Sequence, residues 1–486
     1  MRTPFLLERA TACALCVALS SGAALAATIA RPAHGASHPS PRTPAIRITA
    51  AQRTALLEQI PAEKMSPAWH RTLTAFADIH DFAGPDGEYP QGALLQGVSG
   101  SLFGESQAGG ASALGTIFKS HTKPRLELAT LHSFSATNDG ASPSNGMRNI
   151  FDDLDIAGYL YGVTPSGGTK GDGAVFRISA GGKEEIVHSF TGWGDGAVPT
   201  GRLLPFVDGK YYGTTSSDGE YGYGTVFQFD PHTNELKTIY SFKGQADGGA
   251  PLAGLSIAID GFELNGNLFG VTRTGGSLGA GTIFAISPAG AFSTIYNFAN
   301  APDASAPESE LVPDLAGNLY GVSSTGGSAG IGTLFKTDVD GNESIVHDFA
   351  QDATGNGPTG GNPLAPVSMN YLTGVVYGTA SSGGSNGLGV VFRYAPSQPA
   401  STAFSLLYQF AGTDGAYPEG KLVVSRDLNL YGTTNGGGAN GDGIVFGLRC
   451  NNRTSKVDEG SFARASGPFS CSRTRRRSAT TLLRRR

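Results

Sequence analysis

LYGVTPSGG at residues 160–168, followed by GAVF at 173–176, is one copy of a two-part phrase that this chain repeats seven times. The first part recurs as LFGESQAGG (102–110), YYGTTSSDG (211–219), LFGVTRTGG (268–276), LYGVSSTGG (319–327), VYGTASSGG (376–384) and LYGTTNGGG (430–438). The second recurs as GTIF (115–118), GTVF (224–227), GTIF (281–284), GTLF (332–335), GVVF (389–392) and GIVF (443–446). A period of roughly 50–60 residues points to a propeller or another stacked array. Each copy holds two further apolar runs. One ends in IHDF (79–82), LHSF (131–134), VHSF (187–190), IYSF (239–242), IYNF (295–298), VHDF (346–349) or LYQF (407–410). The other is short, as in Ala93-Leu94-Leu95 or Arg202-Leu203-Leu204. Four short strands with Gly turns between them match one propeller blade, and blades stacked around an axis bury faces that a lone blade exposes. The expected fold is all-β, a seven-bladed β-propeller of four-stranded blades.

The phase of the repeat also predicts how the ring closes. The first copy begins with its last strand, within residues 71–82, and the final copy stops after GIVF without that strand. The N-terminal strand is expected to complete the last blade, so that no sheet edge stays open.

Composition fits this reading. Gly accounts for 71 of 486 residues, and only 15% of the chain is charged. That is about twice the usual glycine share of ~7%. Residues 71–449 carry the propeller and hold 18 Lys and Arg against 35 Asp and Glu. Such an acidic surface repels phosphate backbones and argues against nucleic acid as its partner. Residues 1–26 read as a signal peptide, with Arg2 and Arg9, an apolar run from Ala10 to Ala26, and the small-x-small site Ala24-Leu25-Ala26. Residues 27–70 read as a linker with a short helical pattern at 49–60. Residues 450–486 form a basic tail, expected to be disordered. Cys450 and Cys471 follow the last repeat, and both a disulfide and two separate thiols remain open. The expectation is an exported monomer, periplasmic, secreted or at the cell surface, with no transmembrane segment in the mature chain and no cofactor.

The combined pattern LYGxTxxGG…GxGTVF resembles the GloVer tandem-repeat proteins, exported bacterial proteins named for this repeat. The resemblance covers about 71–449 and implies a propeller-like exported fold. It implies no particular activity. The chain departs from the family in lacking a recognisable C-terminal sorting signal or transmembrane anchor.

Where the copies differ carries the remaining information. The distance from the loop Asp to the Gly of the YG pair alternates between long and short copies. The extra residues lie in IFDDLDIAG (150–158), IDGFELNG (259–266) and SMNYLTG (368–374). Blades 2, 4 and 6 are therefore expected to carry longer hairpin loops. The loop carboxylates Asp86, Asp139, Asp195, Asp247, Asp303 and Asp414, with Asn356 in the sixth copy, are candidate ligand-binding residues on one face. An Asx-turn with Gly at positive φ explains the same pattern. One Asp per blade does not supply the six or more converging oxygens of a Ca²⁺ site. His80, His132, His188 and His347 share a repeat position with Tyr240, Tyr296 and Tyr408, and their spacing around a ring argues for packing rather than metal. Trp193 stacks on a sugar if exposed and is core if buried. Glu105 replaces Thr or Val in the first copy only. The chain has no Gly-x-Ser-x-Gly, His-Glu-x-x-His or P-loop motif, so no catalytic residue is assigned. The expected function is non-enzymatic binding of carbohydrate or a protein partner; the alternative is a glycan hydrolase or lyase using Asp and Glu on the loop-rich face.

Overall fold

A computed structural model describes residues 46–47 and 73–450, apart from 98–99, 123–127, 136–138, 149–157, 261–262, 351–356, 372 and 426–428. The stretch read as a signal peptide, nearly all of the stretch read as a linker with its helical pattern, Asn356, Cys471 and the basic residues 451–486 lie outside the described residues.

The chain folds as seven antiparallel blades in a β-propeller. Blade 1 runs from the axis outward through Leu95–Gln96, Leu102–Ser106, Thr116–Ser120 and Ala129–Ser133. Blade 3 repeats this order with Leu204–Pro205, Tyr211–Thr215, Thr225–Asp230 and Glu235–Ser241. In blade 2 the innermost position is a single bridge from Arg148 to Tyr161. Blades 4, 5 and 6 follow the same path, ending on the outer strands Phe292–Asn297, Ser344–Asp348 and Phe404–Gln409. Blade 7 comprises Val423–Val424, Leu430–Thr434 and Ile444–Cys450, and its outer strand is Leu73–Asp81. That strand pairs antiparallel with Ile444–Cys450, from Leu73 opposite Cys450 to Asp81 opposite Ile444.

The fixed letters of the repeat explain one another. The Gly of each YG pair lies directly across from the Phe of the next strand, as Gly104 opposite Phe118 and Gly213 opposite Phe227. The far end of the ring lies against the glycine, and a methyl group there would overlap it in all seven copies. The Phe ending each outer strand then packs edge-on against the same ring one blade further: Phe82 on Phe118, Phe134 on Phe176, and Phe410 on Phe446, at 5.1, 5.6 and 5.3 Å. Apolar clusters accordingly sit between neighbouring blades, the last joining Tyr431 and Val445 of blade 7 to Leu102 and Phe118 of blade 1.

A second device joins the blades at the backbone. Tyr89, Ser142, Val198, Ala250, Ala306, Asn362 and Tyr417 each precede a Pro and adopt φ between 49 and 56°. That region is costly for residues with a side chain, and more so before Pro. Each of these N–H groups donates to a carbonyl of the preceding blade, as Val198 to Asp172 at 2.9 Å and Tyr417 to Leu388 at 2.8 Å. Tyr89 donates to Asp442 at 3.0 Å, which carries the pattern from blade 1 back to blade 7.

The extra residues of the long copies behave differently from expectation in blade 4. There they lengthen two strands, Ser256–Asp260 and Glu263–Thr272, which pair out to Asp260 opposite Glu263. Alternating apolar residues such as Ile257 and Ile259 continue the ladder, so the insertion is strand rather than loop. In blade 6 it is a short turn after Ser368–Asn370. The blade 2 insertion lies almost wholly outside the described residues.

Candidate functional site

In a four-stranded meander, the loop joining one blade to the next and the loop between the second and third strands lie on the same face. The repeated Asp turns, the Gly-rich loops and Trp193 therefore share one side of the disc.

The repeated His or Tyr and the repeated Asp, candidates for separate roles in the sequence, meet in the structure. His80 Nε2 donates to Asp86 Oδ2 at 2.7 Å, His132 to Asp139 at 3.3 Å and His188 to Asp195 at 3.2 Å. Tyr240 and Tyr296 donate to Asp247 and Asp303 at 2.9 and 3.0 Å, and Tyr408 donates to Asp414. Each carboxylate also accepts a backbone N–H three or four residues upstream, from Ala83, Ser135, Thr191, Lys243, Ala299 and Ala411. The six aspartates are thus engaged inside their own turns. Burial raises the Asp139 carboxyl, but hydrogen bonds from His132, Ser135 and Gly140 outweigh it, and the net shift is downward. In the sixth copy Asn356 lies outside the described residues; His347 stacks on Phe404 at 3.5 Å, and burial lowers its pKa to about 4.

Two copies place a Glu over this pair where the others have Phe or Leu. Glu184 of blade 2 covers His132 and Asp139, and Glu343 of blade 5 covers Tyr296 and Asp303. Burial and the adjacent aspartate raise both Glu carboxyls to about 7. His132, Asp139 and Glu184 offer ligand atoms within 4.8 Å of one another, the one such set among the described residues. Asp139 already accepts from His132, Ser135 and Gly140, so the arrangement is accounted for as a turn with a carboxyl packed above it.

Glu105 is buried on the second strand of blade 1. Its Oε2 accepts the Gly146 N–H at 2.9 Å, tying blade 1 to blade 2. Burial raises its pKa to about 7, against the pull of that N–H and of Arg202.

Trp193 is 85% exposed. It stands at the rim of blade 3 over a groove of about 520 Å³ lined also by Glu220, Tyr221, Tyr240 and Lys243. Lys243 Nζ lies 5.5 Å from the centre of the Tyr221 ring. The glycines on either side hold the indole out: Gly192 and Gly194 both take positive φ. Tyr221 and Lys243 escaped the sequence reading, since a Tyr in a loop and a Lys after a strand carry no motif. Their signal was local: the Gly-rich loop of this blade alone reads DGEYGYG (218–224).

Family matching agrees with the repeat. Four overlapping stretches, 68–207, 154–375, 201–446 and 354–476, match the model of the Gloeobacter/Verrucomicrobia repeat. The chain belongs to this family. No curated protein sequence matches this repeat protein. Among solved structures, the extracellular domain of a B. thetaiotaomicron protein described as a hybrid two-component system superposes with a TM-score of 0.50 at 11% identity. The match covers 78% of this chain and 40% of that one, so the repeat protein spans well under half of its neighbour's length. An oligogalacturonate lyase from Vibrio parahaemolyticus gives 0.45 at 11% identity, over 79% and 92% of the two chains. At 11% identity the first of these likenesses speaks for the propeller fold alone. Among the described residues, no helix is long and apolar enough to cross a membrane.

Proposed function

We propose that this propeller is an exported binding protein that takes a carbohydrate across the rim groove of blade 3, without cleaving it. The exposure of Trp193 carries the reading. An indole left in water costs apolar surface, and beside a second aromatic ring and a cation it forms a platform on which a sugar ring stacks. The groove lining contains one carboxylate, Glu220. Glycoside hydrolysis ordinarily needs two, which favours binding over hydrolysis. The repeated aspartates serve the turns that hold the loops in place, and Glu105 serves the junction of blades 1 and 2. A glycan array with the wild-type chain and Trp193→Ala tests this. A bound glycan whose affinity falls about tenfold or more in the variant is expected, in line with one lost stacking contact. Released products would point to the enzymatic alternative, and an unchanged array pattern in the variant would remove the groove from consideration.

A further inference from the structure

One seat on the outer strands breaks the repeat. Glu184 lies opposite Ile178 on the outer strand of blade 2. Leu236, Phe292 and Phe404 hold the same register in blades 3, 4 and 6. There an apolar side chain covers the ring of the preceding blade: Phe292 stacks on Tyr240 at 4.1 Å and Phe404 on His347 at 3.5 Å. An apolar seat over an aromatic ring is a costly place for a carboxylate. The turn accounts for Asp139 and gives no reason for the carboxyl above it. Glu184 Oε1 is buried and has no hydrogen-bond partner among the described residues.

The groups around this oxygen are donors that a metal ion uses. His132, Asp139 and Glu184 each offer one ligand atom, all within 4.8 Å of one another. Ligands about 2.0–2.2 Å from a tetrahedral zinc ion stand about 3.4 Å apart. His132 Nε2 and Asp139 Oδ2, at 3.3 Å, already meet that spacing. The 4.8 Å limit leaves the Glu184 carboxyl at most about 1.4 Å to close. Asp139 is fixed by the Ser135 N–H, the Ser135 hydroxyl and the Gly140 N–H, at 2.9, 3.1 and 2.8 Å. The His132 ring is fixed edge-on against Phe134 at 4.8 Å. Supporting contacts of this kind orient metal ligands. Side-chain exposures of 21% for His132 and 10% for Asp139 leave an approach for water. Glu343 sits beside Asp303 in the same way, but its neighbour Tyr296 brings a phenol hydroxyl in place of an imidazole nitrogen.

We propose that His132, Asp139 and Glu184 form a zinc site that clips the outer strand of blade 2 to the outer strand and following loop of blade 1, with a water as the fourth ligand. One imidazole and two carboxylates suit Zn²⁺ and fall short of the six or more oxygens that Ca²⁺ takes. On binding, His132 Nε2 gives its proton to solvent and turns its lone pair from Asp139 to the metal, and both carboxylates bind ionised. The two charges of the ion offset the two carboxylates that otherwise face each other. The site is separate from the rim groove.

The test uses the full chain, cleared of metal with EDTA and dialysed, with zinc chloride as the probe. Titration calorimetry is expected to show zinc binding at micromolar concentration, and zinc should raise the melting temperature. Glu184→Leu and His132→Tyr introduce what Leu236 and Tyr240 hold in another blade, so both should fold, as circular dichroism checks. Each should weaken zinc about tenfold or more, while Glu343→Gln leaves the affinity unchanged. X-ray absorption at the zinc edge should show nitrogen and oxygen neighbours only. No zinc binding, calcium preferred to zinc, sulfur among the zinc neighbours, or an affinity that both Glu184→Leu and His132→Tyr leave intact would each overturn the site.

Discussion

At the scale of single residues, Gly213 is held by the ring across from it. Phe227 occupies the space a side chain would need, so overpacking rather than lost freedom sets the cost of change. Gly213→Ala is expected to destabilise the domain by about 1–3 kcal/mol. Urea denaturation measures this, and an unchanged midpoint would mean that the ring moves aside freely. Glu343 gives a prediction in pH. Its folded pKa of about 7 lies above the ordinary 4.5, through burial first and Asp303 second. The folded state thus holds the proton more tightly than the unfolded chain. The stability this confers is complete below about pH 4.5 and is lost as pH rises towards 7. Glu343→Gln should flatten that decline by an amount on the order of 2 kcal/mol, read from denaturation midpoints at pH 5 and pH 8. Of the residue pairs, the Gly opposite Phe could be anticipated as two fixed letters but not as one contact. Likewise His80 and Asp86 were separate regularities until the fold brought them to 2.7 Å, because a six-residue spacing across a turn does not specify where side chains point.

At the scale of elements, the outer strand of blade 7 has the greatest reach. Leu73–Asp81 pairs with Ile444–Cys450 from the other end of the repeats. Phe76 stacks on Tyr408 of blade 6 at 4.4 Å, and the Asp81 carboxylate accepts the Ala439 N–H at 2.7 Å. Losing the strand would bare the edge of Ile444–Cys450 and remove Ile79 and Phe82 from the apolar cluster between blades 7 and 1. Deletion of residues 71–82 is therefore expected to lower the melting temperature of the whole domain, and calorimetry showing an unaltered transition would exclude a latch. The repeat begins and ends out of phase, which singles this strand out, and the deletion measures whether it latches the ring. The strand extension in blade 4 was not legible, since an inserted IDGFELNG reads equally as a loop until its ladder partner is known.

At the scale of the whole molecule, each blade junction is built from the same parts: a Phe edge-on to the next blade's Phe, and a backbone N–H donated across the seam before a Pro. Equal junctions in a ring lead to a further expectation. Phe134→Ala and Phe298→Ala, at different junctions, should each cost about 3–5 kcal/mol, and both variants should unfold in a single transition. Two separated transitions by near- and far-ultraviolet circular dichroism would instead describe an open array of independent blades. The sequence by itself determined the blade count, the strand content and the turns, because those rest on local periodicity and on glycine and proline chemistry repeated seven times. Only the tertiary structure decided that Trp193 stands in solvent, that Glu105 is spent on a blade junction, and that Glu184 closes over His132 and Asp139. Residues from different blades share an environment through blade stacking, and no spacing along the chain encodes which of them arrive at the same point.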